Sequence, residues 1–238
     1  MFHPEGPSLV ELAVQAWSST TGGYDLLAPK FDYTPFRTPD VVLQILAPHI
    51  GGPESIDSAI DICCGTGAAM RVLRPLCRRE VVGVDLSQGM LDEARRRLAD
   101  AEGRAEVTLE RGDALDLRFR QAFDVATCFG AFGHILEKDE ALFVENVHQV
   151  LKPGGRFVFV TGDRPSVRRP AYWMARGFNA TMRVRNAIRK PPFIMYYLTF
   201  LLPRARPLLE RQGFQVSVKR GLFPGSFSGL VLVIAEKR

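Results

Sequence analysis

The sequence predicts an α/β fold in which a mostly parallel sheet is covered by helices on both faces. Three observations carry that expectation. Short apolar runs alternate with amphipathic stretches between residues 57 and 162, a rhythm that sandwiches strands between two helical layers. A glycine turn, Gly65-Thr66-Gly67, follows directly on the apolar run Ala59-Ile60-Asp61-Ile62 and opens into a helical stretch. The chain then ends differently, in two β-rich runs, Gly213 to Arg220 and Phe227 to Glu236, separated by Pro224-Gly225-Ser226.

Leu9 to Trp17 reads as a short helix, and the Ser-Ser-Thr-Thr-Gly-Gly stretch at 18–23 as a break before Tyr24-Asp-Leu-Leu-Ala-Pro-Lys-Phe-Asp-Tyr33. Asp40 to Pro48 reads as a helix, with apolar positions at Val41, Val42, Ile45 and Leu46. The alternating core follows: strand 57–63, helix 67–77, strand 80–85, helix 88–101, strand 105–111, strand 123–129, helix 139–150 and strand 156–162. Ser87 is placed to cap the second of these helices, and Asp92 with Arg96 and Glu93 with Arg97 form i,i+4 pairs along it.

With 238 residues, 46% of them hydrophobic, the chain is long enough for one α/β domain with additions. We expect one domain over 1–238, with an N-terminal helical cap (1–50) and an insertion (163–210). The four cysteines form no CxxC pair and no His-rich ligand spacing, which speaks against a zinc site or a disulfide framework and points to the reducing cytoplasm. The first residues lack a basic and apolar leader pattern. The longest uncharged apolar stretch, Pro191 to Pro203, is short of the roughly 20 residues that span a bilayer.

A second apolar run, Val81-Val82-Gly83-Val84, ends in Asp85, beyond the glycine turn. The turn lets a ligand approach the backbone, the following helix offers unpaired N–H groups, and a carboxylate at the second strand's tip can accept both hydroxyls of a ribose. A dinucleotide fingerprint asks for a third glycine where this chain has Met70, and the Asp61 anion beside the loop suits a cationic cofactor better than a diphosphate. Arg111-Gly112-Asp113-Ala114 follows the third strand, and Val150-Leu-Lys-Pro-Gly-Gly155 precedes the fifth. From about Ile56 to Asp163, in order and spacing, this set of motifs resembles the class I S-adenosylmethionine-dependent methyltransferases, in particular the small-molecule branch of quinone biosynthesis. Cys63 stands where many members carry the first glycine.

That resemblance implies a Rossmann-like, doubly wound seven-stranded sheet in the order 3-2-1-4-5-7-6 with an antiparallel terminal hairpin. It implies S-adenosyl-L-methionine as cofactor and S-adenosyl-L-homocysteine as product. Asp61 and the backbone around Cys63, Gly65, Thr66 and Gly67 would face the methionine part. Asp85 would hold the ribose, with Leu86 and Met90 against the adenine; Asp113 would accept from the adenine amino group and the Ala114 N–H donate to the ring. Gly112, Phe129 and Gly130 complete the cofactor set. Small-molecule members often carry an N-terminal Tyr-Asp repeat and an Arg that closes over the cofactor, here Tyr24, Tyr33 and Arg37; an apolar cover packed on the sheet is the alternative reading of this stretch.

Cys128-Phe-Gly-Ala-Phe-Gly-His134 follows the fourth strand, where the methyl meets its acceptor in that family. His134 is the titratable group best placed as a general base, since imidazole titrates near neutrality; the competing reading is a pocket-lining histidine that transfers no proton. The Asn/Asp-Pro-Pro-aromatic motif of nucleic-acid adenine methyltransferases is absent there, as is the Pro-Cys of cytosine enzymes. Between Arg164 and Leu209 lie ten basic residues and no acid; with these set aside, acids outnumber bases in the rest of the chain. The same segment is rich in Tyr, Phe, Met and Trp. We read it as a lid over a small, mostly apolar substrate whose O, N or C accepts the methyl, with residues 164–206 able to touch a membrane surface. The alternatives are an RNA methyltransferase using a continuous basic groove, and a non-catalytic cofactor-binding partner in a complex.

Overall fold

The computed structural model describes residues 3–238; residues 1 and 2 of the expected cap lie outside them. Seven strands, β1 (Ile56–Ile62), β2 (Cys77–Asp85), β3 (Glu106–Arg111), β4 (Phe123–Cys128), β5 (Leu151–Gly162), β6 (Phe214–Lys219) and β7 (Leu230–Lys237), form one sheet in the order β3-β2-β1-β4-β5-β7-β6. The first five run parallel, and β7 is antiparallel to both β5 and β6. The helices are α1 (Leu9–Trp17), α2 (Thr20–Leu27), α3 (Asp40–Ile50), α4 (Ala68–Leu73), α5 (Gln88–Leu98), α6 (Glu140–Val150), α7 (Pro170–Ile188) and α8 (Leu202–Arg211). The expected fold class and strand order are those observed.

Because side chains alternate across a strand, the sheet feeds two cores. Ile60, Ile62, Cys128, Phe157 and Phe159 pack with Phe143 and Val147 of α6 and with Leu202 and Leu209 of α8. Ala59, Val81, Val125 and Val158 face the other way, onto Leu46 of α3, Met70 of α4 and Leu91 of α5. Each fully buried Phe or Leu contributes about 1.5–3 kcal/mol. The parallel strands therefore end together, and the loops at those ends build the site.

Several boundaries differ from the sequence reading, each for a local reason. The break expected over 18–23 is confined to Ser18 and Ser19, and Thr20 to Gly23 are helical: Ser19 caps α2, accepting from Gly22 N at 3.0 Å. Gly23 is there for packing, since a Cβ would come within 2.9 Å of Gln15 O and 2.8 Å of the Phe193 ring. The helix expected over 67–77 stops at Leu73, because Pro75 lacks an N–H. A short 3₁₀ turn follows, and β2 starts already at Cys77. The helix over 88–101 ends at Leu98, where Arg74 takes the Leu98 and Ala101 carbonyls at 3.3 and 2.7 Å. Along it, Glu93 does pair with Arg97 (2.6 Å), but Asp92 pairs with Arg95 (2.9 Å) and Arg96 turns to Glu93. Strand β5 reaches back to Leu151, which pairs with Phe123; Lys152–Gly155 then bulge, with Gly154 at φ 74°.

Residues 163–210 hold two pieces that pack differently. Helix α8 buries Leu202, Ala205 and Leu209 in the core. Helix α7 buries only Asn179, Met182 and Arg185, and it is held by side-chain clamps on the segment that follows it. Asn179 brackets the Tyr197 peptide (2.8 and 2.9 Å), and Asn186 brackets that of Phe193 (both 2.9 Å). Arg185 reaches across to the cap, donating to Ser18 O at 2.6 Å as well as to Pro191 O at 2.9 Å. Among the described residues, no helix is long and apolar enough to cross a membrane.

Candidate active site

One cavity of about 650 Å³ opens at the carboxyl ends of the parallel strands, under α2 and the segment after α7. That is within the range of small-molecule sites. Asp85 stands at the end of β2. Its Oδ2 accepts from Gly65 N and its Oδ1 from Ser87 N, both at 2.9 Å. Each oxygen keeps a second lone pair for a hydroxyl. Burial raises the Asp85 pKa, against the lowering effect of those backbone donors. Gly65 holds φ 53°, and a Cβ there would meet only the Phe31 ring, at 4.0 Å, so the turn leaves open space. Met70, in the place of a third glycine, is fully buried; a Cβ on Gly83 would lie 2.4 Å from its sulfur, so the glycine sits in the strand instead. Cys63 has φ 59°, a left-handed conformation that favours glycine.

Asp61 also lines the cavity, although it is buried; its Oδ1 accepts from the Thr127 hydroxyl at 2.6 Å. Burial pushes its pKa up to about 7, Thr127 works against that, and the nearby Asp85 adds to it. A buried carboxyl poised between its two forms is matched by a cationic ligand, which draws it into the charged one. Asp113 spends one oxygen on Leu115 N at 2.9 Å, closing its turn, and Ala114, Gly112, Leu86 and Met90 lie along the same wall. Carboxylates at Asp61, Asp85 and Asp113 around an open glycine turn suit a nucleoside joined to a cationic amino acid. S-adenosylmethionine is such a molecule and fits this donor set.

The opposite wall comes from distant parts of the chain. Tyr24 Oη lies 2.9 Å from His134 Nε2, and His134 Nδ1 lies 2.6 Å from Ile194 O. A carbonyl only accepts, so Nδ1 carries the proton and Nε2 accepts from the Tyr24 hydroxyl. Burial pushes the imidazole's pKa down, keeping it neutral. Burial and then the Asp85 charge suppress the acidity of the Tyr24 phenol. Phe132, Ile135, Val160, Met195, Leu198 and Leu201 give this side of the cavity its apolar lining.

Fifteen of the seventeen site residues expected from sequence line the cavity. Tyr33 does not: it stacks on His3, ring centroids 4.7 Å apart. Gly67 caps α4 at φ 81° and turns its α-carbon toward Leu98 and Ala94 of α5, so it shapes the loop without facing the cavity. Arg37 lines the cavity but is already paired with Asp40 and lies 3.5 Å from Asp32. The sequence reading missed the residues that pin the cap. Asp25 Oδ1 accepts from Ser87 Oγ (2.6 Å) and Gly89 N (2.9 Å) at the start of α5. Asp32 accepts from Thr66 Oγ1 (2.6 Å) and faces Arg97 (2.9 Å). Both are the acids of the Tyr-Asp and Phe-Asp pairs at 24–25 and 31–32, the one signal that could have singled them out.

The insertion's cations do not form one groove into the cavity. Arg185 is buried and turned to the cap, and Arg204 is paired with Glu137 and Glu140. Arg164, Arg176 and Arg183 border a second cavity of about 800 Å³ behind the Tyr196–Leu201 segment.

A nucleoside-binding glycine turn under this strand order defines the class I methyltransferase fold. Residues 59–155 match the family described as methyltransferase domain. A demethylmenaquinone methyltransferase of Symbiobacterium thermophilum is 35% identical over 115 residues, 47% of this chain but only 45% of that relative. The O-methyltransferase cnsE of Penicillium expansum is 26% identical over 236 residues, covering 92% of this chain and 85% of that one. Among solved structures, the complex of DhpI with S-adenosylhomocysteine superposes with a TM-score of 0.66 at 19% identity, over 93% of this chain and 97% of that one. Residues 59–155 thus match a methyltransferase domain on the class I fold, and over about half its length the chain is similar to demethylmenaquinone methyltransferases, of whose own length it spans about half.

Proposed function

We propose that the protein moves the methyl group of S-adenosylmethionine to an O, N or C acceptor on a small, mostly apolar molecule. One observation carries this reading: a single cavity joins a carboxylate-and-glycine wall suited to the cofactor to a largely apolar wall that holds His134. The names of the relatives, among them a demethylmenaquinone methyltransferase and an O-methyltransferase, support the same activity. The scattering of the insertion's arginines supports a lid over a small molecule rather than a nucleic-acid groove. The four free thiols, three of them buried, support a reducing, cytoplasmic setting, where the basic insertion can meet a membrane surface.

The bound cofactor supplies an electrophilic methyl on a good leaving group. The chain then has to position the acceptor and exclude water. Asp61 would hold the amino-acid end of the cofactor, Asp85 its ribose and Asp113 its adenine. The apolar wall seats the acceptor, and neutral His134 can take the proton of an acceptor hydroxyl through the Tyr24 phenol, which gives its own proton to Nε2 and takes the acceptor's. The test is transfer of labelled methyl from S-adenosylmethionine into fractions of an extract of the source cells. Label in the organic-soluble fraction is expected; label in nucleic acid would overturn the reading.

A further inference from the structure

Two helices turn apolar rows toward solvent. At about 100° per residue, Leu9, Val10, Ala13, Val14 and Trp17 share one face of α1 and Gln15 lies on the other. The burial is the reverse of what such a helix normally shows: Gln15 is 5% exposed, while Leu9 is 74% and Trp17 59% exposed. Helix α7 repeats the pattern. Trp173, Val184 and Ile188 follow one outer face with Met174 beside them, while Asn179, Met182 and Arg185 face inward; Trp173 is 63% and Ile188 79% exposed. With Val167, just before α7, these two helices hold nine of the fourteen exposed large hydrophobics among the described residues. They also hold both of the chain's tryptophans. A single exposed leucine means little, but a gathered apolar surface marks a docking site. The two rows lie on joined elements, since Arg185 of α7 bonds Ser18 at the end of α1, and Thr20 N donates to Pro192 O at 3.2 Å.

Charge selects the occupant. Arg168 and Arg169 before the α7 row and Arg189 and Lys190 after it are all exposed, and none is in an ion pair among the described residues. A second copy of the chain would bring the same cations against them. An anionic bilayer takes both parts, tryptophans at the headgroup boundary and guanidiniums on phosphates. We propose that α1 and α7 together dock the protein on an anionic lipid bilayer. Thr20 and Thr21, just after α1, and Met195–Leu201, after α7, line the cavity, so the docked face borders the acceptor wall. Only the corollary that an apolar acceptor enters from the bilayer rests on the proposed function; the docking does not.

Both tryptophans lie on the proposed face, so intrinsic fluorescence reads it directly. The full chain is titrated with vesicles of phosphatidylglycerol and phosphatidylcholine in equal parts, with co-sedimentation alongside. The expected result is a blue shift with vesicle-bound protein, weakened by salt and at least about tenfold weaker on pure phosphatidylcholine. Val184→Asp with Ile188→Asp should lower partition about tenfold or more at an unchanged thermal midpoint. Leu142→Asp, at an exposed leucine of α6, should not change it. If the double variant unfolds, Arg168→Ser with Arg169→Ser and Arg189→Ser makes the same test through charge. No shift with anionic vesicles overturns the proposal, as does equal partition into neutral ones. A shift that grows with protein concentration without lipid would assign the face to a second copy and overturn it too. None of these readouts uses methyl transfer, so failure here leaves the proposed activity standing.

Discussion

The strand-end wall of the cavity and the wall made by cap and insertion differ in how far their contacts reach along the chain. On the first, Asp85 meets Ser87 two residues away and Gly65 across 20. On the second, Tyr24 meets His134 across 110 residues, and Thr20 meets Ile194 across 174. The first wall rides on buried parallel strands and exists as soon as the sheet does. The second closes only when the cap, the loop after β4 and the segment after α7 arrive together, and a handful of hydrogen bonds keeps it shut. Elements held that way open at lower cost than the core. A rigid wall suits a ligand common to many enzymes, and a separable wall suits an acceptor that must enter and leave.

The largest effect should come from the rigid wall. Asp85→Ala removes both oxygens proposed to hold the ribose and the anchor of Gly65, and should weaken S-adenosylhomocysteine binding about 100-fold, roughly 3 kcal/mol, by calorimetry. Unchanged affinity would remove Asp85 from the cofactor site.

Asp61→Asn sharpens the contrast through pH. The ordinary carboxyl value is 3.8, and burial first of all holds Asp61 at about 7 in the folded chain. Between those values the folded protein keeps a proton the unfolded chain has lost, so the stability Asp61 contributes at low pH drains away as pH rises through 7. The amide variant should therefore melt a few degrees higher than the parent at pH 8. It should bind cofactor about tenfold more weakly there, lacking the anion. Parent affinity should rise with pH through about 7 and the variant's stay flat. A parallel pH dependence in both would place the titrating group elsewhere.

The separable wall should respond in the opposite way. Arg185→Met deprives Ser18 O and Pro191 O of their donor and should cost about 2 kcal/mol of stability. Proteolysis should quicken around 189–193 while S-adenosylhomocysteine affinity holds within about twofold. Equal losses in both would mean that the two walls are one unit. The smallest change is Tyr24→Phe. It should slow turnover about tenfold without weakening the cofactor. Losing the hydroxyl that stabilises neutral His134 should also raise the acidic limb of the pH–rate profile. A turnover and profile equal to the parent's would leave the pair as packing.

The same division explains what could be read in advance. The strand ending in Asp61, the turn at Gly65 and the carboxylate at Asp85 are announced by residues close together, because a buried strand, a glycine turn and a helix start are local events. The break does fall at Ser18 and Ser19; the error over 20–23 came from taking Gly22-Gly23 as a breaker, when Gly23 answers to Gln15 and to Phe193, the latter far away in sequence. The tautomer of His134 was out of reach for the same reason, since Ile194 O, 60 residues on, decides it. The pins at Asp25 and Asp32 lay in plain view within the Tyr24–Tyr33 stretch. Nothing local says that their partners would be a helix start and a cofactor loop.

The last strand in the chain is not the last in the sheet. β7 is threaded between β5 and β6, and Lys237 donates to His148 O and Leu151 O at 2.7 and 2.8 Å. During synthesis, β5 and the phenylalanines behind it leave the ribosome with their future neighbour still to be made. The outer half of the sheet thus waits for residues 230–237, and a nascent chain paused before them offers β5 as an open strand edge to any passing partner.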